Sequence, residues 1–186
     1  MHTFLASLRI TLATAAICVA GYTAALLVFA KAVAPDTAEG SLIVVDGQAV
    51  GSRLVAQGFT RPDYFWPRPS AVDYNGAGAG GSNKSPTSPD LTERAAGLVA
   101  LHGATPERPL PAELAAASGG GLDPHLTEHA ALYQADRVAR ARSLPLSQVE
   151  NLVKAQAFSP GGTFTPDRLV NVLELNLALD AATKSP

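Results

Sequence analysis

The stretch ITLATAAICVAGYTAALLVFA, residues 10–30, carries no charge and stands between Arg9 and Lys31. At about 1.5 Å rise per residue, a helix of this length covers roughly 30 Å, the thickness of a bilayer's hydrocarbon core. The sequence therefore predicts three segments: a short cytoplasmic N-terminus at 1–9, a transmembrane helix at 10–30, and one soluble domain outside the cytoplasm at 31–186. The rival reading is a secretory signal peptide cleaved after Ala32-Val33-Ala34, which would release a secreted binding module starting at Pro35. Signal cores usually run only about 7 to 15 apolar residues, so length favours an anchor. Charge says little about orientation, because Arg9 and the terminal amine nearly balance Lys31.

Inside the anchor, Ala16, Ala20 and Ala24 recur every four residues, with Ala13 and Gly21 close to the same face. Small residues at that spacing let a partner helix approach closely, the usual basis of association in lipid. A chain simply rich in alanine would produce the same stripe.

The rest of the chain is long enough for one domain with a real core. All 16 acidic residues follow Pro35, while two of the 14 basic residues, Arg9 and Lys31, precede it, so the soluble part is acidic by about four charges. That balance argues against nucleic acid as a partner, since no basic face could release counterions from phosphates. Cys18, the only cysteine, lies in the anchor, so the domain has no thiol for a disulfide or a nucleophile.

Periodicity predicts an α+β domain: a small hairpin or sheet first, then several helices. Residues 41–45 and 48–55 flank Asp46-Gly47, a strong two-residue hairpin signal. Residues 59–89 hold five prolines and a glycine cluster and predict a long irregular loop, ordered by Tyr64, Phe65, Trp66 and Tyr74. Ser88 and Pro89 open a helix with Leu91, Ala95, Leu98 and His102 on one face up to Gly103, and a short helix is expected within 111–117. Asp123 as cap and Pro124 at the first position predict a helix to about Arg142, with Leu126, Ala130, Tyr133 and Ala141 inward. Ser147 with Glu150 marks the start of the next one. Residues 172–183 alternate leucines as a strand would, but their composition and the Asn171/Glu174 cap pattern favour helix.

Three patterns look like chemistry. His125-Leu126-Thr127-Glu128-His129 matches His-x-x-Glu-His, in which two imidazoles one helical turn apart hold zinc and the glutamate activates water. It would make the chain a membrane-anchored zinc metalloprotease, yet no third ligand declares itself and a helix start is polar for capping reasons alone. Gly76, Gly78 and Gly81 fit Gly-x-Gly-x-x-Gly, but a phosphate cradle needs a preceding strand and a following helix, and prolines flank this loop. Gln57 beside Phe59 reads best as a structural hydrogen-bonding amide.

Several stretches, taken in order, resemble the C subunit of the Kdp-type potassium-transporting ATPase. They are Gly40 to Ile43, Val50-Gly51-Ser52 with Gln57 and Phe59, Tyr64-Phe65 leading to Arg68-Pro69-Ser70-Ala71, Gly80 to Asn83, Gly121 to His125, Gln134 with Arg137-Val138-Ala139, and Val170 to Asp180. The likeness covers nearly the whole chain, with departures at Ala56, Trp66-Pro67 and Gly120. It implies a single-pass accessory subunit in the cell membrane, beside a channel-like potassium-binding subunit and a P-type ATP-hydrolysing subunit. It further implies a catalytic chaperone that raises the pump's affinity for ATP, tied to Gln57, with no hydrolysis of its own; no metal is expected either, since the His125/His129 pair lacks a third ligand. A domain outside the cytoplasm cannot meet cytoplasmic ATP, so direct nucleotide contact by Gln57 conflicts with the implied topology, and topology is the stronger constraint.

Overall fold

The structure is a computed structural model that describes residues 2–164 and 167–184. It divides into two compact units, Met1–Val50 and Gly51–Pro186; residues 1 and 185–186, the ends of the expected segments, lie outside the described residues.

In the first unit, α1 (His2–Ala15) and α2 (Tyr22–Val33) are joined through a π-helical stretch at Ala16–Gly21. Together they make one apolar helix, His2–Val33, of 32 residues, whose most apolar 18-residue window has mean hydropathy 2.1, with no buried residue. The helix extends past the uncharged core at both ends because Phe4, Leu5 and Leu8 continue the apolar sequence and Arg9 does not stop it. In the π stretch the Tyr22 amide donates to the Ile17 carbonyl, five residues back, which widens the turn and shifts the register of the alanine stripe. Lys31 folds onto Glu39 at 2.8 Å, closing the short helix α3 (Pro35–Ala38) against the end of α2. Strands β1 (Leu42–Val45) and β2 (Gln48–Ser52) then form the expected hairpin. Both turn residues have positive φ, Asp46 at 51° and Gly47 at 79°, as a two-residue turn of this hand requires.

The second unit opens with the last residues of β2 and the irregular segment 53–88 and continues with α4 (Pro89–Leu101), α5 (Ala112–Ala115), β3 (His125–Thr127), α6 (Glu128–Arg142), α7 (Leu146–Gln156), β4 (Leu169–Asn171) and α8 (Val172–Lys184). The α+β class is as the sequence predicts, and the cap pattern before α8 is real: the Glu174 amide donates to Asn171 Oδ1 at 3.2 Å.

The sequence missed a second sheet. β3 and β4 pair antiparallel, with His125 opposite Asn171, Leu126 opposite Val170 and Thr127 opposite Leu169. The expected helix start at Asp123-Pro124 is therefore corrected: Asp123 accepts from the His125 amide at 3.0 Å in a local turn, and Pro124 gives its carbonyl to the Val172 amide at 2.9 Å. The helix begins after Thr127, whose hydroxyl accepts from the Ala130 amide. Two smaller corrections follow. Ala141 is exposed rather than inward, and α7 starts at Leu146 with Pro145 as its cap residue, so Ser147 lies inside the first turn.

The core lies between α6, α7 and α8 and the small sheet. Ala130, Ala131, Ala135, Val138 and Ala139 give α6 a slim apolar face against which Val149, Val153, Leu175 and Leu179 pack. Small side chains bring the helices close, and Phe65, donated by the irregular segment, fills the volume that remains.

Candidate functional site

The segment that holds Phe65 has no ladder of its own, so its backbone groups must find partners elsewhere. Two buried carboxamides supply them. Asn176 Oδ1 accepts from the Phe65 amide at 2.8 Å and its Nδ2 donates to the Phe65 carbonyl at 3.0 Å. Gln134 repeats the pattern on Trp66, with 2.9 Å and 3.0 Å. Each side chain acts as one rung of a strand, and each is 2% exposed or less.

Guanidinium groups complete the clamp. Arg137 donates to the carbonyls of Pro62 (2.5 Å) and Tyr64 (2.9 Å) and to Gln134 Oε1 (2.7 Å), and lies 3.6 Å from the centre of the Trp66 ring. Arg142 donates to the Asp63 carbonyl at 2.7 Å, pairs with Asp180 at 2.7 Å and sits over Tyr64. Tyr64 in turn donates its hydroxyl to Asp180 at 2.9 Å. Loss of hydration pulls Arg137 down to about 10, still charged at neutral pH. His102, edge-on to Trp66 at 5.3 Å and to Tyr133 at 6.4 Å, is pushed down to about 4, first by burial and then by the charge of Arg137.

Gln57, earlier in the same segment, lies against Gly51. A Cβ on Gly51 would fall 1.5 Å from its Nε2 and 2.8 Å from a Leu173 methyl, so the amide rests directly on the glycine backbone. The neighbouring Ala56 is buried, its amide bonded to the Leu122 carbonyl at 2.9 Å. Gln57 thus sits between the Gly51 backbone and Leu173 at the start of α8.

The glycine cluster is also explained by packing. The Gly80 amide donates to the Gly120 carbonyl at 2.9 Å, and a Cβ on Gly81 would meet the Gly119 carbonyl oxygen at 2.7 Å. These glycines let two loops touch backbone to backbone. Irregular chain precedes and follows them, so the strand and helix that a phosphate cradle requires are not there.

His125 and His129 do not share a helical face. His125 is on β3, beside Asp123 at 3.4 Å and edge-on to Phe158 at 5.6 Å, while His129 is exposed on α6 and Glu128 pairs with Arg168 at 3.0 Å. The turn-to-turn spacing on which a zinc pair depends is lost once the strand replaces the first helical turn. Among the described residues, no three His, Cys, Asp or Glu side chains are grouped to hold a metal ion.

Comparison with known proteins agrees with this arrangement of segments. The sequence model of the family described as "K+-transporting ATPase, c chain" (KdpC) matches residues 4–181. The chain belongs to the KdpC family. A Parvibaculum lavamentivorans protein named potassium-transporting ATPase KdpC subunit is 64% identical over 181 residues, covering 97% of each chain. Proteins of the same name from Burkholderia ambifaria and Cereibacter sphaeroides are each 47% identical, over 87% of this chain and 86% and 87% of theirs. As a KdpC chain it is an accessory subunit of a potassium-transporting ATPase rather than the catalytic one, with a single candidate membrane span at its N-terminus. Sequence reasoning picked out Gln134 and Arg137 only through the KdpC likeness. Asn176 likewise fell within a stretch quoted for that likeness, whereas Arg142 carried no signal, because the backbone it binds at Asp63 lies 79 residues away.

Proposed function

We propose that this chain is the accessory subunit of a high-affinity, ATP-driven potassium uptake pump, with its soluble domain outside the cytoplasm. It packs beside a channel-like potassium-binding subunit and a P-type ATP-hydrolysing subunit, stabilises their assembly and so raises the ATP affinity of the latter. The observation that carries the reading is the KdpC match over residues 4–181, anchor included. Two features support it. A 32-residue apolar helix with no buried residue needs lipid or partner helices along its whole length, and the soluble unit spends its polar side chains on holding its own loop in place.

Ala13, Ala16, Ala20, Gly21 and Ala24 are the face through which the anchor packs on partner helices. Gln57 acts on nucleotide affinity through the packing of the 51–59 segment, without touching ATP itself. The experiment is co-purification from native membranes. Two larger subunits should be recovered with the wild-type chain, and Ala20→Leu with Gly21→Leu should release them. Photoreactive ATP should label the larger ATP-hydrolysing subunit and leave this chain unlabelled. A chain that purifies alone from those membranes overturns the reading, and a labelled peptide containing Gln57 overturns the indirect role.

A further inference from the structure

Two grooves meet on the outer side of the clamp. One, of about 630 Å³, runs between the end of α4 and α6 and is lined by Arg108, Arg137 and Arg140 with Tyr133 and Asp136. The other, of about 260 Å³, is apolar and aromatic, lined by Phe59, Trp66, Pro69, Tyr74 and Leu98. Leu101 and His102 line both and form the ridge where they join.

The first groove is positive although the soluble part of the chain is acidic. Asp136 is already neutralised by Arg140 at 2.7 Å. Arg108 bonds the Tyr133 carbonyl and lies 4.3 Å from the centre of that ring, and Arg137 bonds only carbonyl and amide oxygens. Such contacts satisfy donors without cancelling charge. Among the described residues, Arg53, Arg61, Arg68, Arg142 and Arg168 all have carboxylate partners, whereas Arg108 and Arg137 have no ion pair; Asp63 acts on Arg137 only from further off. Two unpaired guanidiniums therefore face one open groove, and the charge of Arg137 is already felt by His102. On the ridge beside them Leu101 is 58% exposed.

We propose that the joined grooves are a docking site for an extended segment of a partner subunit that carries an apolar side chain beside an aspartate or glutamate. The apolar side chain enters the aromatic groove past Leu101, and the carboxylate takes the free donors of Arg108, which presents a planar fork. An extended chain spaces its side chains closely enough to use both grooves at once. A lone phosphate or a lipid headgroup would engage only the cationic half and leave Leu101 and the aromatic wall uncovered.

This inference rests on the reading that the chain works within a complex, and the test separates the two. The full chain carrying Leu101→p-benzoylphenylalanine is photolysed in native membranes with its subunits, and the crosslinked peptide is identified by mass spectrometry. The expected product is a partner peptide with Asp or Glu within a few residues of the crosslinked apolar position. Adding Arg108→Glu should lower the yield about tenfold, while Lys154→Glu, the same charge change on an exposed face of α7, should lower it by less than about twofold. Arg108→Lys should restore most of the yield and shows that the fold survives at this position. If the wild-type complex assembles but the crosslink goes to lipid, to no partner, or to a segment without an acidic residue, the docking site is wrong. An undiminished yield with Arg108→Glu also overturns it. Failure of the wild-type chain to co-purify with any subunit would instead overturn the proposed function.

Discussion

A single asparagine illustrates how this domain holds a loop without secondary structure. Asn176 is 1% exposed and satisfies both backbone groups of Phe65, itself fully buried. Removing the carboxamide leaves a buried donor and a buried acceptor unpaired, at about 1–3 kcal/mol each. Asn176→Ala should therefore cost about 2–5 kcal/mol in urea unfolding of the full chain in detergent, and a loss below about 1 kcal/mol would mean the loop finds other partners. Asn176→Asp should not rescue it, because a carboxylate accepts from the amide but cannot donate to the carbonyl. His102 makes a second prediction at this scale. Its folded value, about 4, lies below the ordinary 6.5, so the unfolded chain binds more protons between those values. Stability should be fully present above about 6.5 and fall as pH drops towards 4. His102 is only partly buried, which reduces the size of the effect and leaves its sign unchanged. His102→Gln should flatten that part of the stability curve, and an NMR titration should place the His102 midpoint near 4.

At the scale of elements, the boundary between β3 and α6 decides what the motif around His125 can do. Asp123-Pro124 is a good helix opening by local rules, yet the pairing with β4 holds His125 to Thr127 extended and moves the cap to Thr127. Thr127 also donates its hydroxyl to Glu113 of α5, so the cap ties three elements together. Thr127→Ala should lower stability by about 1–2 kcal/mol, measured as a shift in the thermal unfolding midpoint. Were the helix to start at Asp123 instead, the same substitution would fall within the helix and change stability by less than about 0.5 kcal/mol. Of the four positions the sequence turned inward here, Ala130 is buried on α6 and Leu126 on β3, Tyr133 is only partly buried and Ala141 is exposed, because the later helix start rotates the buried face onto Ala131, Ala135, Val138 and Ala139. The strand was not legible beforehand, since three residues show no alternation.

For the whole molecule, the side of the membrane that the second unit faces decides how it can act. Ser85 is exposed in the irregular segment and far in sequence from the anchor. With the N-terminus in the cytoplasm, Ser85→Cys in a Cys18→Ala background should react with a membrane-impermeant thiol reagent in intact cells whose outer envelope is permeable. Reaction only after the cytoplasmic membrane is breached would reverse the orientation and bring Gln57 within reach of ATP. The result matters for mechanism, because a domain outside the cytoplasm influences nucleotide affinity only through the assembly it stabilises.

The sequence by itself determined the apolar N-terminal helix, the hairpin at Asp46-Gly47, the α+β class, the capped start of α8 and the family. These depend on local signals: uncharged length, turn residues with positive φ, cap spacing and ordered short motifs. The tertiary structure alone decided the β3–β4 sheet, the separation of His125 from His129, the clamping of Phe65 and Trp66 by Asn176 and Gln134, and the placing of Gln57 on Gly51. Each of these pairs residues distant in the chain or replaces a local preference by a long-range hydrogen bond. Such a contact depends on which surfaces the folded chain brings together, and no short stretch of sequence encodes it.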